Sequence, residues 1–204
     1  MLIDQISIGS RDRFWDAPLK VLLATLLICL LAPIKIDVGG ISDIPITLQS
    51  LLVLLVPLIL GPKLGGMAVA LYLVAGAVGL PVFAGGSSGV EKLVGPTAGF
   101  LCGFPLAAVL VGLMAQGRWG RSWWGIAASL LSGHVLILLL GFGWLGLQST
   151  FETIPEKVQP LLPGLYLKVI FGTLLMLGLN AIMRMVIRNQ DEWGKEVDGS
   201  DPPV

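Results

Sequence analysis

The sequence predicts an all-α, polytopic membrane protein with six transmembrane helices. Three observations support this fold class: 55% of the 204 residues are hydrophobic, only 13% are charged, and the mean hydropathy is +0.88. A soluble domain has about 25% charged residues, and a chain of this length cannot hide so much apolar surface in one core. Lipid is therefore the expected surrounding of most side chains.

Six apolar segments are long enough to span a bilayer, which takes about 20 residues or somewhat fewer where neighbours help. They are predicted at 17–34, 46–60, 64–80, 97–114, 123–147 and 161–187. The sequence Gly61-Pro62-Lys63 separates the second segment from the third, because proline lacks an N–H and disfavours helix in its predecessor. The predicted organisation is a cytoplasmic N-terminal segment at 1–17, a transmembrane domain at 18–188, and a polar cytoplasmic tail at 189–204. That tail is expected to be disordered.

Basic residues predict the orientation in the cell (inner) membrane, with both termini cytoplasmic. Nine lie on the N-terminal side of the bilayer (Arg11, Arg13, Lys20, Lys63, Arg118, Arg121, Arg184, Arg188, Lys195) and four on the other (Lys35, Lys92, Lys157, Lys168). Trp15, Trp119, Trp123 and Trp124 fall at the inner ends of spans, where amphipathic rings prefer to lie. No cleavable signal peptide is expected, since no A-x-A-like site follows the first apolar segment.

Composition and motifs argue against several classes of function. Lys+Arg and Asp+Glu balance at 13 each, so there is no electrostatic case for a nucleic-acid partner. The chain contains no G-x-x-x-x-G-K-[ST] motif, so we expect that it does not hydrolyse ATP itself. Cys29 and Cys102 lie in apolar segments without metal-ligand spacing. No metal, no cofactor and no enzymatic activity are predicted.

An intramembrane serine hydrolase is the alternative function. The loop at 85–89 matches G-x-S-x-G at Ser87 and G-x-S-G at Ser88, and His134, the only histidine, could serve as the base. The first motif belongs to a strand-to-helix turn in an α/β sheet, which this fold class does not provide. A flexible or ligand-wrapping loop is the favoured interpretation, with His134 a neutral histidine hydrogen-bonded between helices.

Small residues recur at helical spacing in three segments. This spacing lets helix backbones approach closely, either within the protein or, as the alternative, against a partner subunit. The residues concerned are Gly99, Gly103 and Ala107, then Gly125, Ser129 and Gly133, and finally Ala75 with Gly79.

Few polar residues occur inside the spans, and Gln49, Lys168 and Asn180 are the most conspicuous. An ionisable group there costs about 2.5–3.5 kcal/mol on insertion scales, so function is the default hypothesis for Lys168. A lysine near a helix N-terminus makes an anion site, whereas snorkelling to the interface is the alternative. Gln49 faces either a cavity or a neighbouring helix. Longer outer loops rich in Gly, Pro and Ser predict a cavity open to the outside.

Several motifs resemble the BioY family, the biotin-specific substrate-binding (S) components of energy-coupling factor (ECF) transporters. They are IPITLQ at 44–49, LGPKLG at 60–65, YL at 72–73, GAVGLPVFAGG at 76–86 and GPTAGFL at 95–101. The resemblance covers about residues 18–187. It implies an S-component-like bundle of six helices in the lipid bilayer and an outward-facing cavity for biotin. It also implies two kinds of partner, a transmembrane coupling protein and a pair of ATPase subunits, which would supply the missing ATPase site.

The same resemblance implies a set of site residues. The family usually has P-G-D-x-x-K at the start of its last helix, where the acid and the lysine contact biotin. Here the sequence is Pro163-Gly-Leu-Tyr-Leu-Lys168, so the lysine remains and Leu165 replaces the acid. Hydrogen bonds to the ureido ring are then expected from Tyr166 or the loop at 85–89. The expected biotin-binding residues are Lys168, Tyr166, Gln49, Phe83, Gly85 and Gly86.

Overall fold

The computed structural model describes residues 13–36, 46–117, 119–148 and 161–198. Predictions for the segment before residue 13, for most of the outer loops (37–45 and 149–160) and for the last six residues lie outside the described residues. The helices are α1 (Arg13–Leu31), α2 (Gln49–Ala77), α3 (Glu91–Val94), α4 (Ala98–Met114), α5 (Trp123–Gln148) and α6 (Leu161–Asp198). Two short antiparallel strands, β1 (Lys35–Ile36) and β2 (Ile46–Thr47), pair with each other.

Helix α2 is a hairpin of two helical halves that meet at Gly61. The backbone of Gly61 has φ 81° and ψ 179°, a left-handed conformation that side chains disfavour. A Cβ on Gly65 would lie 2.5 Å from the Cα of Pro57, and Gln49 at the start of α2 hydrogen-bonds Tyr72 near its end. These contacts pair the two halves in antiparallel order. The predicted break between the second and third spans is therefore confirmed.

Three described helices are long and apolar enough to cross a membrane: Gln49–Ala77, Trp123–Gln148 and Leu161–Asn189, with mean hydropathy of 2.0, 2.0 and 1.9. Helix α2 contributes two spans through its hairpin. Helix α4, an apolar helix of 17 residues, packs between α2 and α5, and α1 packs on α2. The six-span all-α fold is confirmed, and the described part adds the two small strands, the short helix α3 and two 3₁₀ turns at Ala84–Gly86 and Trp119–Arg121.

Close helix contacts form where the small-residue pattern predicts them. A Cβ on Gly99 would lie 2.5 Å from Leu140 O, and a Cβ on Gly133 would lie 2.6 Å from a methyl of Val111. The face formed by Gly99, Gly103 and Ala107 packs inside the protein, against α5. The prediction for Gly79 is wrong, because this glycine lies after α2 at φ 104° with nothing within 4 Å of its Cβ direction.

Helix α1 buries one face and exposes the other. Ala24 and Ile28 are buried in the protein's own core, whereas Leu23, Leu26 and other leucines of α1 are exposed. In a bilayer such a leucine face contacts lipid, so its exposure needs no further explanation.

Helix α6 extends beyond the predicted end of its span. The helix continues to Asp198, so the polar tail begins as helix rather than as disordered chain. Proline stops a helix most strongly, and none occurs between Pro163 and Pro202. The end of α6 instead coincides with Gly199 in the sequence.

Candidate functional site

A cavity of about 470 Å³ lies among the start of α2, the loop before α3, and helices α4, α5 and α6. Its walls are mainly apolar and aromatic, which is the usual character of a small-molecule site. The lining residues are Thr47, Gln49, Ser50, Phe83, Ala84, Ser87, Lys92, Thr97, Phe100, Leu101, Phe104, His134, Ile137, Leu138, Phe142, Leu145, Leu161, Gly164, Leu165 and Lys168.

Lys168 contributes positive charge to this cavity. It lies two turns into α6, and its Nζ donates a hydrogen bond to Ser50 Oγ at 2.9 Å. A second cation, Lys92 of α3, also lines the cavity, and the lining contains no aspartate or glutamate. Since a lysine ammonium has three N–H groups, Lys168 retains donors beyond the bond to Ser50. The described cavity is therefore cationic and suits an anion or a carbonyl oxygen.

A chain of buried hydrogen bonds fixes Gln49 at the cavity wall. Its Nε2 donates to the Tyr72 hydroxyl at 2.7 Å, and that hydroxyl donates to the carbonyl of Val82 at 3.1 Å. Tyr72 is completely buried. Both alternatives for Gln49 thus apply, because its side chain lines the cavity and also bonds the other half of α2. The bond through Nε2 leaves its carbonyl oxygen as an acceptor.

The loop after α2 is attached to the helices at several points. The Phe83 ring packs edge-on against Tyr72, at 5.7 Å between centroids, and occupies the space where Gly76 lacks a side chain. The backbone N–H of Gly85 donates to Pro33 O, and that of Gly89 donates to Gly76 O. This attachment holds Phe83 in the cavity wall.

The predicted loop residues divide between cavity and surface. Gly85 and Gly86 have φ values of 69° and 74° and are exposed, so they shape the turn but do not line the cavity. Their neighbours Ala84 and Ser87 do line it.

Tyr166 lies away from the cavity. It is 60% exposed and is not among the lining residues, whereas Leu165 and Lys168 both line the cavity. Residues three apart share a helix face, but a residue one position on is turned by about 100°. The expectation that Tyr166 replaces the missing acid is therefore not supported by the geometry.

The proposed pair of a serine nucleophile and a histidine base is not assembled. His134 Nδ1 lies 2.9 Å from Leu130 O in its own helix, so the predicted hydrogen bond between helices is wrong. The other ring nitrogen, Nε2, is buried without any hydrogen-bond partner among the described residues. Ser88 does not line the cavity, and the neighbouring Ser87 hydroxyl donates to Ala84 O.

Three aromatic side chains complete the apolar wall, and sequence reasoning did not identify them. Phe100 and Phe104 come from α4 and Phe142 from α5, with Phe100 and Phe142 in an edge-to-face contact at 5.4 Å. In the sequence they are indistinguishable from core or lipid-facing aromatics. Only the arrangement of the helices shows that the three residues line the same cavity.

The cavity ends where α5 and α6 come together. A Cβ on Gly172 would lie 2.9 Å from methyl groups of both Leu130 and Leu51. His134 follows Leu130 by one helical turn, and Lys168 precedes Gly172 by one turn. Because both residues line the cavity beyond this contact, α5 and α6 run antiparallel, and the two side chains lie at a similar level, about 6 Å along each helix from the contact.

No described residues form a cluster of three or more His, Cys, Asp or Glu side chains that could hold a metal ion. The polar chemistry of the cavity therefore comes from its lysines, its hydroxyl and amide groups, and His134.

The sequence model of the BioY family matches residues 11–185. The chain belongs to the BioY family. Among relatives, a biotin transporter BioY of Thermotoga maritima is 42% identical over 123 residues, 60% of this chain and 70% of that protein. A probable biotin transporter BioY of Pyrococcus horikoshii is 40% identical over 114 residues, 56% of this chain and 64% of that protein. The chain thus matches about two thirds of the length of these BioY relatives.

A solved structure supports the fold assigned to this BioY family member. The crystal structure of the S-component for biotin from an ECF-type ABC transporter matches with a TM-score of 0.69, covering 85% of this chain and 95% of that one. The identity is 23%, so the likeness shows the fold alone. It confirms the predicted S-component-like bundle.

Proposed function

We propose that this chain captures biotin at the outer face of the cell membrane and delivers it inward, as the substrate-binding subunit of an ATP-driven vitamin transporter. The observation that carries the proposal is the apolar cavity with two lysines and no carboxylate among its described lining residues, in a BioY-family bundle. Relatives named as biotin transporters support the choice of substrate.

The chemistry of biotin matches the cavity in three respects. Biotin has a carboxylate on a flexible apolar chain and a neutral ureido ring, so its recognition needs a cation, hydrogen-bonding groups and apolar walls. Lys168 and Lys92 supply the cations, Gln49 supplies a carbonyl acceptor, and Phe83 and Phe104 supply aromatic surface. The volume of about 470 Å³ lies within the range of about 300–1,000 Å³ that is typical of small-molecule sites.

Energy for uptake would come from partners. The chain lacks a nucleotide-binding P-loop motif, so we propose that a transmembrane coupling protein and a pair of ATPase subunits drive release of biotin into the cell. Both termini are proposed to be cytoplasmic, an orientation supported by the excess of Lys and Arg on that side. The exposed Trp119, Trp123 and Trp124 at the inner end of α5 agree with this orientation.

Substitution of Lys168 tests the proposed site. A charge-assisted hydrogen bond contributes about 1.5–3 kcal/mol, so Lys168→Ala should weaken biotin binding by about 10- to 150-fold. Binding would be measured by calorimetry on protein purified in detergent without biotin. Lys63→Ala is the matched control, since Lys63 is exposed and lies outside the cavity, and it should bind biotin like the wild type.

Biotin methyl ester identifies the group that Lys168 contacts. If the lysine binds the carboxylate, the ester should bind the wild type and Lys168→Ala with nearly equal affinity. If it binds the ureido oxygen, both ligands should lose affinity together. Failure of the wild type to bind biotin would refute the proposed function, whereas unchanged biotin affinity in Lys168→Ala would refute the assignment of this residue.

A further inference from the structure

His134 is the one side chain of the cavity wall with a fully buried polar atom that has no hydrogen-bond partner among the described residues. The residue is 4% exposed and lies in the middle of α5. A buried polar atom without a partner is unfavourable by about 1–3 kcal/mol, and such atoms are rare in native proteins. The position of His134 in the lining of a ligand-sized cavity suggests that the partner is a ligand.

The hydrogen bond at the opposite edge of the ring determines what Nε2 can do. A carbonyl oxygen only accepts, so the 2.9 Å contact with Leu130 O requires the proton on Nδ1. In the neutral ring Nε2 is then an acceptor. A second proton would place an unpaired buried charge in a lining that already has two lysines and no carboxylate, which is strongly unfavourable. Nε2 of His134 is therefore an acceptor without a partner in the wall of the cavity, and its natural complement is an N–H donor.

Several other polar groups of the lining are already engaged in hydrogen bonds within the protein. The Ser50 hydroxyl accepts from Lys168, the Ser87 hydroxyl donates to Ala84 O, and the Thr97 hydroxyl donates to Lys92 O. His134 Nε2 differs from these groups because no described residue bonds it. Its position at about the level of Lys168 places an acceptor and a donor on facing helices of the same cavity.

We propose that His134 is a substrate-binding residue whose Nε2 accepts a hydrogen bond from an N–H of a cyclic urea, with Lys168 donating to an oxygen of the same ligand. The inference rests on the proposed function and specifies its recognition chemistry: the ureido ring of biotin has two N–H donors and one carbonyl acceptor. A cavity without carboxylates can satisfy one of those donors through imidazole. His134 then discriminates ligands that have an N–H from those that do not.

Two substitutions and two ligands test the proposal. His134→Leu removes the acceptor and keeps an apolar side chain, whereas His134→Gln places a carbonyl oxygen near the position of Nε2. Biotin should bind His134→Leu about 10- to 100-fold more weakly than the wild type, and His134→Gln should recover most of the loss. The N-methylated biotins, in which one ureido N–H is replaced by N–CH₃, serve as probes. The derivative methylated at the bonded nitrogen should bind wild type and His134→Leu with similar low affinity.

The single histidine allows a direct readout that is independent of any substitution. Protein labelled with ¹⁵N-histidine contains one imidazole, so its Nε2 resonance reports on that atom alone. Biotin should shift the resonance toward the value of a hydrogen-bonded acceptor, and the derivative methylated at the bonded nitrogen should not. This measurement remains decisive if His134→Leu lowers the melting temperature.

The outcomes separate the two proposals. If the wild type binds biotin and Lys168→Ala weakens it, but His134→Leu binds normally and the Nε2 resonance stays unchanged, the role of His134 is refuted and the proposed function stands. If the wild type binds no biotin, both proposals fall. If His134→Leu and His134→Gln lose biotin affinity equally and biotin leaves the Nε2 resonance of the wild type unchanged, His134 has a packing role. That result would also overturn the inference.

Discussion

Helix α5 contacts α4 and α6 in different ways. Against α4 the backbones touch: a Cβ on Gly99 would lie 2.5 Å from Leu140 O and 3.1 Å from Gly141 Cα. Against α6 the same stretch of α5 lines the cavity, and the two helices make a close contact further along, where Leu130 meets Gly172. Helix α5 thus has a closed side, which packs on α4, and an open side, which faces α6 across the cavity.

The difference shows how a membrane protein keeps a cavity without losing its fold. Helices in lipid associate mainly through close packing of small residues, because no hydrophobic drive exists between them. The α4–α5 contact provides this packing, so the α5–α6 side can remain separated and accommodate Lys168 and His134. We therefore expect stability to depend on the closed side and ligand binding to depend on the open side.

The largest effect on stability is predicted for Gly99→Ala. The added methyl group would contact the backbone of α5 and the Cβ of Trp144, neither of which can rotate away. Overpacking of this kind costs about 1–3 kcal/mol, and we expect a value toward the upper end. The measurement is the melting temperature in detergent, together with expression level. Gly103→Leu should act in the same direction, since its side chain must displace Leu140.

Gly143→Ala is the matched control on α5. Nothing lies within 4 Å of the position of its Cβ, and the gain in helix propensity from glycine to alanine is the same. This variant should melt at or above the wild-type temperature. If Gly99→Ala also melts like the wild type, the closed side is not what holds the bundle together.

The second prediction concerns the hydrogen bonds that hold Gln49 in the cavity wall. Tyr72→Phe leaves the Gln49 amide without its acceptor and the Val82 carbonyl without its donor, both in a buried site. The expected destabilisation is about 1–3 kcal/mol, and biotin affinity should fall with it because Gln49, which lines the cavity, loses the hydrogen bond that holds its side chain in place. Melting temperature and calorimetric titration measure the two effects.

Tyr166→Phe removes the same hydroxyl from an exposed tyrosine and provides the control. It should change neither stability nor biotin binding. A loss of biotin affinity in Tyr166→Phe with none in Tyr72→Phe would contradict the site described here and restore the assignment of Tyr166 made from the sequence.

The closed side of the bundle could be predicted from the sequence, and the open side only in part. Small residues at i, i+4 spacing and the Gly61-Pro62 turn are local patterns with direct structural consequences. The turn and the close helix contacts at Gly99, Gly103 and Gly133 are confirmed, whereas the contact predicted at Gly79 is wrong. Lys168 and Gln49 could be singled out because polar groups are rare in spans. Phe100, Phe104 and Phe142 could not, since their role depends on which way each helix is turned. For the same reason the sequence could not show that Tyr166 lies one residue from the lining face.

The smallest effect is predicted for Gly172→Ala, where α5 and α6 come together below the cavity. A Cβ there would lie 2.9 Å from methyl groups of Leu130 and Leu51, which is as tight as many contacts on the closed side. These neighbours are the ends of flexible side chains, however, and can move by a few tenths of an ångström. We expect the free energy of unfolding to fall by about 1 kcal/mol or less, which is the lower end of the cost of overpacking. Biotin affinity should change little.

Gly178→Ala provides the control on α6, because nothing lies within 4 Å of its Cβ position. The loss of stability in Gly99→Ala divided by the loss in Gly172→Ala then shows how much more firmly α5 is held by α4 than by α6. A large ratio means that α4 and α5 form the rigid part and that α6 can shift to admit a ligand. A ratio near one would mean that α6 is held as firmly as α4, and a ligand would then have to enter a cavity of fixed shape.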